Sequence, residues 1–99
     1  MSFVTAQPEN LTAAAGSLSG IGDSMTAGVA AAAAPTTGVI APAADLVSAL
    51  TAAQFSVHGA LFQEVGAQAA AVHQQIAATL SSNGSAYAFT EAVNASSAG

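Results

Sequence analysis

Proline occurs at only three positions of this 99-residue chain, Pro8, Pro35 and Pro42. A proline lacks the backbone donor that a helix interior needs, and its ring clashes with the preceding turn, so long helices form only between such positions. Two stretches qualify, one ending near Pro35 and one beginning after Pro42. Both are rich in alanine, which fills 28 of the 99 positions and has the highest helix propensity of any residue. The sequence therefore predicts an all-α fold, an antiparallel two-helix hairpin. Its parts are an N-terminal segment at 1–7, a helix at about 8–34, a turn at about 35–44, a helix at about 45–80 and a flexible tail at 81–99.

The first helix opens at Pro8 and Glu9. Proline suits the first helical position, where an N–H would have no partner, and a carboxylate is favoured at the positive end of the helix dipole. Leu11, Ala14, Leu18, Ile21, Met25, Gly28 and Ala32 fall three and four apart and mark the expected packing face. Asp45 is the expected N-cap of the second helix. Along that helix Leu46, Val47, Leu50, Phe55, Val57, Leu61, Phe62, Val65, Ala69, Val72, Ile76 and Leu80 spread over an arc of about 180°. One neighbouring helix cannot cover so wide an arc. Leu50, Val57, Leu61, Phe62, Val65 and Ile76 are accordingly expected to be buried against a partner, because a two-helix chain has no third layer. Ser81-Ser82-Asn83-Gly84-Ser85 reads as a helix stop.

Composition narrows the possible functions. The chain has no Lys or Arg, five acidic residues and a formal net charge of −5, so a nucleic-acid binder would lack the side chains that neutralise phosphates. Polybasic anchoring to lipid fails for the same reason. Without cysteine there is no disulfide, no thiolate nucleophile and no Cys-ligated zinc. The hydrophobic fraction of 53% is mostly alanine, and only 21 residues are Leu, Ile, Val or Phe. The longest unbroken apolar run, Val29 to Ala34, falls far short of the roughly 18 residues a membrane span needs, so no transmembrane segment is expected. Met1-Ser2-Phe3-Val4-Thr5 puts no cation ahead of an apolar core, so a conventional signal peptide is not expected and export would take another route.

Catalytic patterns are missing. His58 and His73 would lie about 22 Å apart along one helix and cannot share a metal ion. Each reads as a packing residue that makes one hydrogen bond. Gly16-Ser17-Leu18-Ser19-Gly20 places leucine where a nucleophile elbow needs serine. Glu9, Asp23, Asp45, Glu64 and Glu91 are too dispersed for a paired-carboxylate site and read as solubilising and capping groups. No enzymatic activity, cofactor or metal site is expected. Gly16 and Gly20 stand four apart, and each helical glycine costs about 1 kcal/mol relative to alanine. Their expected use is close helix packing, the alternative being a general bias towards small residues. Tyr87 and Glu91 form a Tyr-x-x-x-Glu pattern and would share a face on a further helical turn.

Taken together, Met1-Ser2-Phe3-Val4, Pro8-Glu9, Pro35-Thr36-Thr37, Pro42-Ala43-Ala44-Asp45-Leu46-Val47-Ser48 and the Tyr87 to Glu91 motif resemble the mycobacterial PE domain over essentially the whole chain. The resemblance implies a hairpin that completes a four-helix bundle with a PPE-family protein as a heterodimer. It also implies export by a type VII (ESX) secretion system to the exterior or cell surface, without a cleavable signal peptide. On the same ground Pro8 and Glu9 are the family motif, and Tyr87 and Glu91 are the secretion signal read by the type VII machinery. An EspG-type chaperone binds the PPE partner in this family, so any chaperone link to this chain is indirect. Many members continue into a Gly-rich or enzymatic region, and Ala95-Ser96-Ser97-Ala98-Gly99 resembles a point where such an extension begins. The residues alone leave one alternative, an amphipathic, surface-active or homo-oligomeric hairpin at lipid surfaces. The lack of Lys and Arg argues against it, since interfacial helices usually carry cations.

Overall fold

The computed structural model describes residues 5–99. Met1 to Val4, which belong to the expected N-terminal segment and to the resemblance, lie outside the described residues. Those described form two helices, α1 (Pro8–Thr37, 30 residues) and α2 (Leu46–Ala98, 53 residues), and no strand. The expected all-α hairpin is present, with a longer second helix.

Helix α1 begins as expected at Pro8. The Gln7 carbonyl accepts from the N–H groups of Asn10 and Leu11 at 3.0 and 3.3 Å, and its side-chain oxygen accepts from Asn10 Nδ2 at 2.6 Å. Pro35 does not end the helix but falls in its last turn, where one missing backbone donor matters little because the terminal carbonyls are already short of partners. The Thr36 and Thr37 hydroxyls donate to the carbonyls of Ala32 and Ala33 at 2.6 Å each, and Gly38 N–H donates to the Ala34 carbonyl at 3.0 Å. Asp45 caps α2 as its sequence position predicts. Its two carboxylate oxygens accept from the Ser48 N–H at 2.9 Å and the Ser48 hydroxyl at 2.7 Å, and its carbonyl accepts from Ala49 N–H.

The chain divides into two compact units, one holding Asp23–Ala71 and the other holding the chain up to Gly22 together with Val72–Gly99. In the Asp23–Ala71 unit α1 offers Val29, Ala32, Ala33 and Thr36 to α2, which offers Ala52, Ser56, Gly59, Gln63, Gly66 and Ala70. Thr36 lies opposite Gly59 and Val29 opposite Gly66, so the two segments run antiparallel. Gln63 Nε2 donates to the Val29 carbonyl at 2.8 Å, and Val39 N–H donates to Ser56 Oγ at 3.3 Å. The other unit repeats the scheme. Pro8, Leu11, Ala15, Leu18 and Gly22 of α1 meet His73, Ala77, Leu80 and Gly84 of α2, and His73 Nε2 donates to the Leu18 carbonyl at 2.5 Å.

Three expectations change. The α1 packing face is turned by about one position in places: Leu11, Leu18 and Ala32 are partly buried, but Ala14, Ile21, Met25 and Gly28 are exposed. Ala15, Gly22 and Val29 lie at the contact instead, and at Gly22 the His73 ring fills the space that a side chain would take. Gly16 and Gly20 are exposed as well, and a Cβ at either would meet nothing within 4 Å, so they do not serve packing within the hairpin. The glycines that do are Gly22, Gly59, Gly66 and Gly84. Finally, α2 does not stop at 81–85 and no separate tail begins there, since the helix runs to Ala98. Gly84 keeps ordinary helical backbone rather than the left-handed conformation of a C-cap. It is buried, and an added Cβ would lie 2.9 Å from Thr12 Oγ1 and 3.4 Å from the Pro8 carbonyl. The glycine marks a crossing of backbones, not an end.

Among the described residues the buried hydrophobic core is Ala15, Ala52 and Ala77, and no large side chain is fully buried. A methyl group contributes on the order of 0.8 kcal/mol when buried, against about 1–2 kcal/mol of backbone entropy for each residue ordered. The fully buried core is therefore small, and most of the large apolar side chains of α2 stay exposed.

Candidate functional site

Two seams run along α2. The first is the small-residue seam just described, with members alternately four and three apart from Ala52 to Ala70 in the Asp23–Ala71 unit and again from His73 to Gly84 in the other. The second is displaced by one residue throughout. In the Asp23–Ala71 unit it consists of Phe55, His58, Phe62, Val65 and Ala69, each immediately before Ser56, Gly59, Gln63, Gly66 and Ala70. One residue is about 100° of helix rotation. A helix that lays its small residues on α1 therefore turns the large ones away from it.

Exposure follows from that geometry. Of the residues expected at a partner contact, Leu50, Val57, Leu61, Phe62 and Val65 lie in the Asp23–Ala71 unit and keep between 50% and 62% of their surface exposed. Ile76 lies in the other unit and is 53% exposed. Soluble proteins rarely leave so many large apolar side chains uncovered on one element. Beside Phe55 the surface dips into a hollow of about 540 Å³ lined by Leu50, Thr51, Gln54, Phe55 and His58. In the other unit a smaller hollow of about 350 Å³ is lined by Val72, Gln75, Ile76, Thr79, Leu80 and Asn83.

The two histidines have different surroundings. His73 is partly buried, its ring lies over Gly22, and it makes the single hydrogen bond expected of it. His58 is exposed on the large-residue seam. Tyr87 and Glu91 are exposed one turn apart on α2 and share a face of the helix, while Glu9 is exposed in the first turn of α1. The Asp45 carboxyl is held below the ordinary carboxylate range, first by the Ser48 N–H and then by its hydroxyl. Among the described residues no three His, Cys, Asp or Glu side chains gather in a group able to hold a metal ion, and no helix is long and apolar enough to cross a membrane. Gly59, Gly66 and Gly84 escape a reading that ranks positions by hydrophobicity. The signal that finds them is a four-and-three spacing in which most positions are small, interrupted by Gln63, His73 and Leu80.

Comparison with known proteins adds to this geometry. The model of the PE family matches residues 4–94. The chain is 60% identical over 98 residues to PE family protein PE13 of Mycobacterium tuberculosis, and the match spans 99% of both proteins. It is 48% identical over 98 residues to PE family protein PE8 of the same species and 50% identical over 95 residues to the PE-PGRS family protein PE_PGRS36. In those two longer relatives the match spans 36% and 19% of the length.

Proposed function

Because the chain belongs to the PE family, we infer that it is a non-enzymatic, exported subunit that forms a heterodimer with a PPE-family protein. The observation that carries this reading is the division of labour on α2, where small residues meet α1 and large apolar residues face outward. A helical pair laid on the outward face would supply the missing layer and complete a four-helix bundle. Leu50, Val57, Leu61, Phe62 and Val65, with Ile76 in the other unit, are the contact residues on this reading. Pro8 and Glu9 carry the family motif at the start of α1. Export then uses a type VII system without a cleavable signal peptide, with Tyr87 and Glu91 presented together as the signal and an EspG-type chaperone acting through the PPE partner.

The deciding experiment is co-purification with a co-expressed PPE-family protein. Leu61→Asp with Phe62→Asp would bury two unpaired charges in a desolvated interface, at a cost of several kcal/mol. The double variant should fail to bring its partner down. Recovery of the pair at wild-type yield would refute the assigned face.

A further inference from the structure

Each polar member of the small-residue seam makes a hydrogen bond across it. Ser56 accepts from the Val39 N–H and Gln63 donates to the Val29 carbonyl in one unit, and His73 donates to the Leu18 carbonyl in the other. The large-residue seam of the Asp23–Ala71 unit, Phe55, His58, Phe62, Val65 and Ala69, has one polar member, His58. Its imidazole takes no part in the side-chain hydrogen bonds among the described residues. Covering this seam would take the imidazole out of water, and a buried polar group left without a partner is costly.

Beside His58 there is room for such a partner. The hollow of about 540 Å³ has apolar walls from Leu50 and Phe55 and polar groups from Thr51, Gln54 and His58. No acidic residue lines it, and the chain has no Lys or Arg. An ammonium or guanidinium entering the hollow would find no anion, whereas a neutral group that both donates and accepts can pair with the imidazole in either of its tautomers. The chemistry fits an uncharged side chain that both donates and accepts.

We propose that His58 is the specificity-determining residue of the docking face, and that the hollow receives a hydroxyl- or amide-bearing side chain from a helix of the PPE-family partner. The inference rests on the pairing reading above and names what that reading leaves open. One polar position in an otherwise apolar helical seam fixes register, and it selects partners by penalising those that bring only apolar groups to it. His58 is exposed in the free chain, so its replacement leaves the hairpin contacts intact.

The test co-expresses the chain with a panel of PPE-family proteins from Mycobacterium tuberculosis and measures the amount of each that co-purifies. His58→Leu should lower recovery of the best wild-type partner by about tenfold relative to the others, whereas His58→Gln should keep the wild-type order. Phe62→Asp, run beside them, should abolish pairing across the panel. An unchanged order with His58→Leu, together with loss of pairing in Phe62→Asp, would overturn this inference alone. Undiminished pairing of Phe62→Asp would overturn the reading of the face and this inference with it.

Discussion

At Gly59 the carbonyl of Thr36 occupies the space that a side chain would need, with its carbonyl carbon 2.7 Å from the site of an added Cβ. Both partners are backbone, so neither can rotate aside. Alanine has the better helix propensity by about 1 kcal/mol, yet here the steric term wins. Gly59→Ala should lower the stability of the paired protein by about 1–3 kcal/mol, read as a fall in Tm. Gly16→Ala makes the same chemical change where nothing lies within 4 Å, and it should leave Tm unchanged or raise it. The opposite ranking would show that the backbones do not cross closely at Gly59. Gly22 is a softer case, because the group it accommodates is the His73 ring rather than backbone.

On the scale of a single element, α2 is defined by its cap and by its length. The Asp45 carboxyl is held below its ordinary value by the Ser48 N–H and hydroxyl, so its folded-state pKa lies below its unfolded one. Its contribution is therefore present above the unfolded value and is lost as pH falls through the folded one. Acid titration followed by circular dichroism should show that component in the wild-type pair and lack it in Asp45→Ala. At the other end, the helix passes through Ser81-Ser82-Asn83-Gly84-Ser85 without a break. Hydrogen exchange in the paired protein should show protected amides continuing from Leu80 past Ser85, and an abrupt loss of protection at Ser81 would contradict the continuous helix. Tyr87 and Glu91 lie beyond that point and are exposed, so Tyr87→Ala and Glu91→Ala should leave co-purification intact. If the two form the export signal, each change should sharply lower the ratio of secreted to cell-associated protein. Normal export of the double variant would remove that role.

For the whole molecule, the pairing proposed above predicts that a chain whose buried core is Ala15, Ala52 and Ala77 draws stability from its partner. A protein whose folded form is bound while its unfolded form is not gains stability by mass action. The chain expressed alone should show low helicity and a broad thermal transition, and co-expression with a PPE-family protein should sharpen the transition and make Tm depend on concentration. A cooperative, concentration-independent transition in the isolated chain would show that the hairpin is self-sufficient.

Proline spacing, alanine content and the Asp45 cap are local properties of the chain, so the all-α hairpin, the start of each helix and the lack of a third layer were legible from sequence by itself. So were the large residues left without cover, because an arc of about 180° exceeds what one helix can bury. Family membership was legible too, carried by short motifs spread over the whole length. What only the tertiary structure decided is which face of each helix turns inward. Hydrophobicity assigns the contact to large residues such as Ile21 and Met25, whereas the backbones approach closely enough at Gly22, Gly59, Gly66 and Gly84 that a side chain there would collide with the other helix, and that distance is a property of the pair rather than of either sequence. The same reason explains Gly84. Read locally, a glycine among serines and asparagine ends a helix, but with Pro8, Leu11 and Thr12 packed against it the missing side chain is what lets α2 continue past α1.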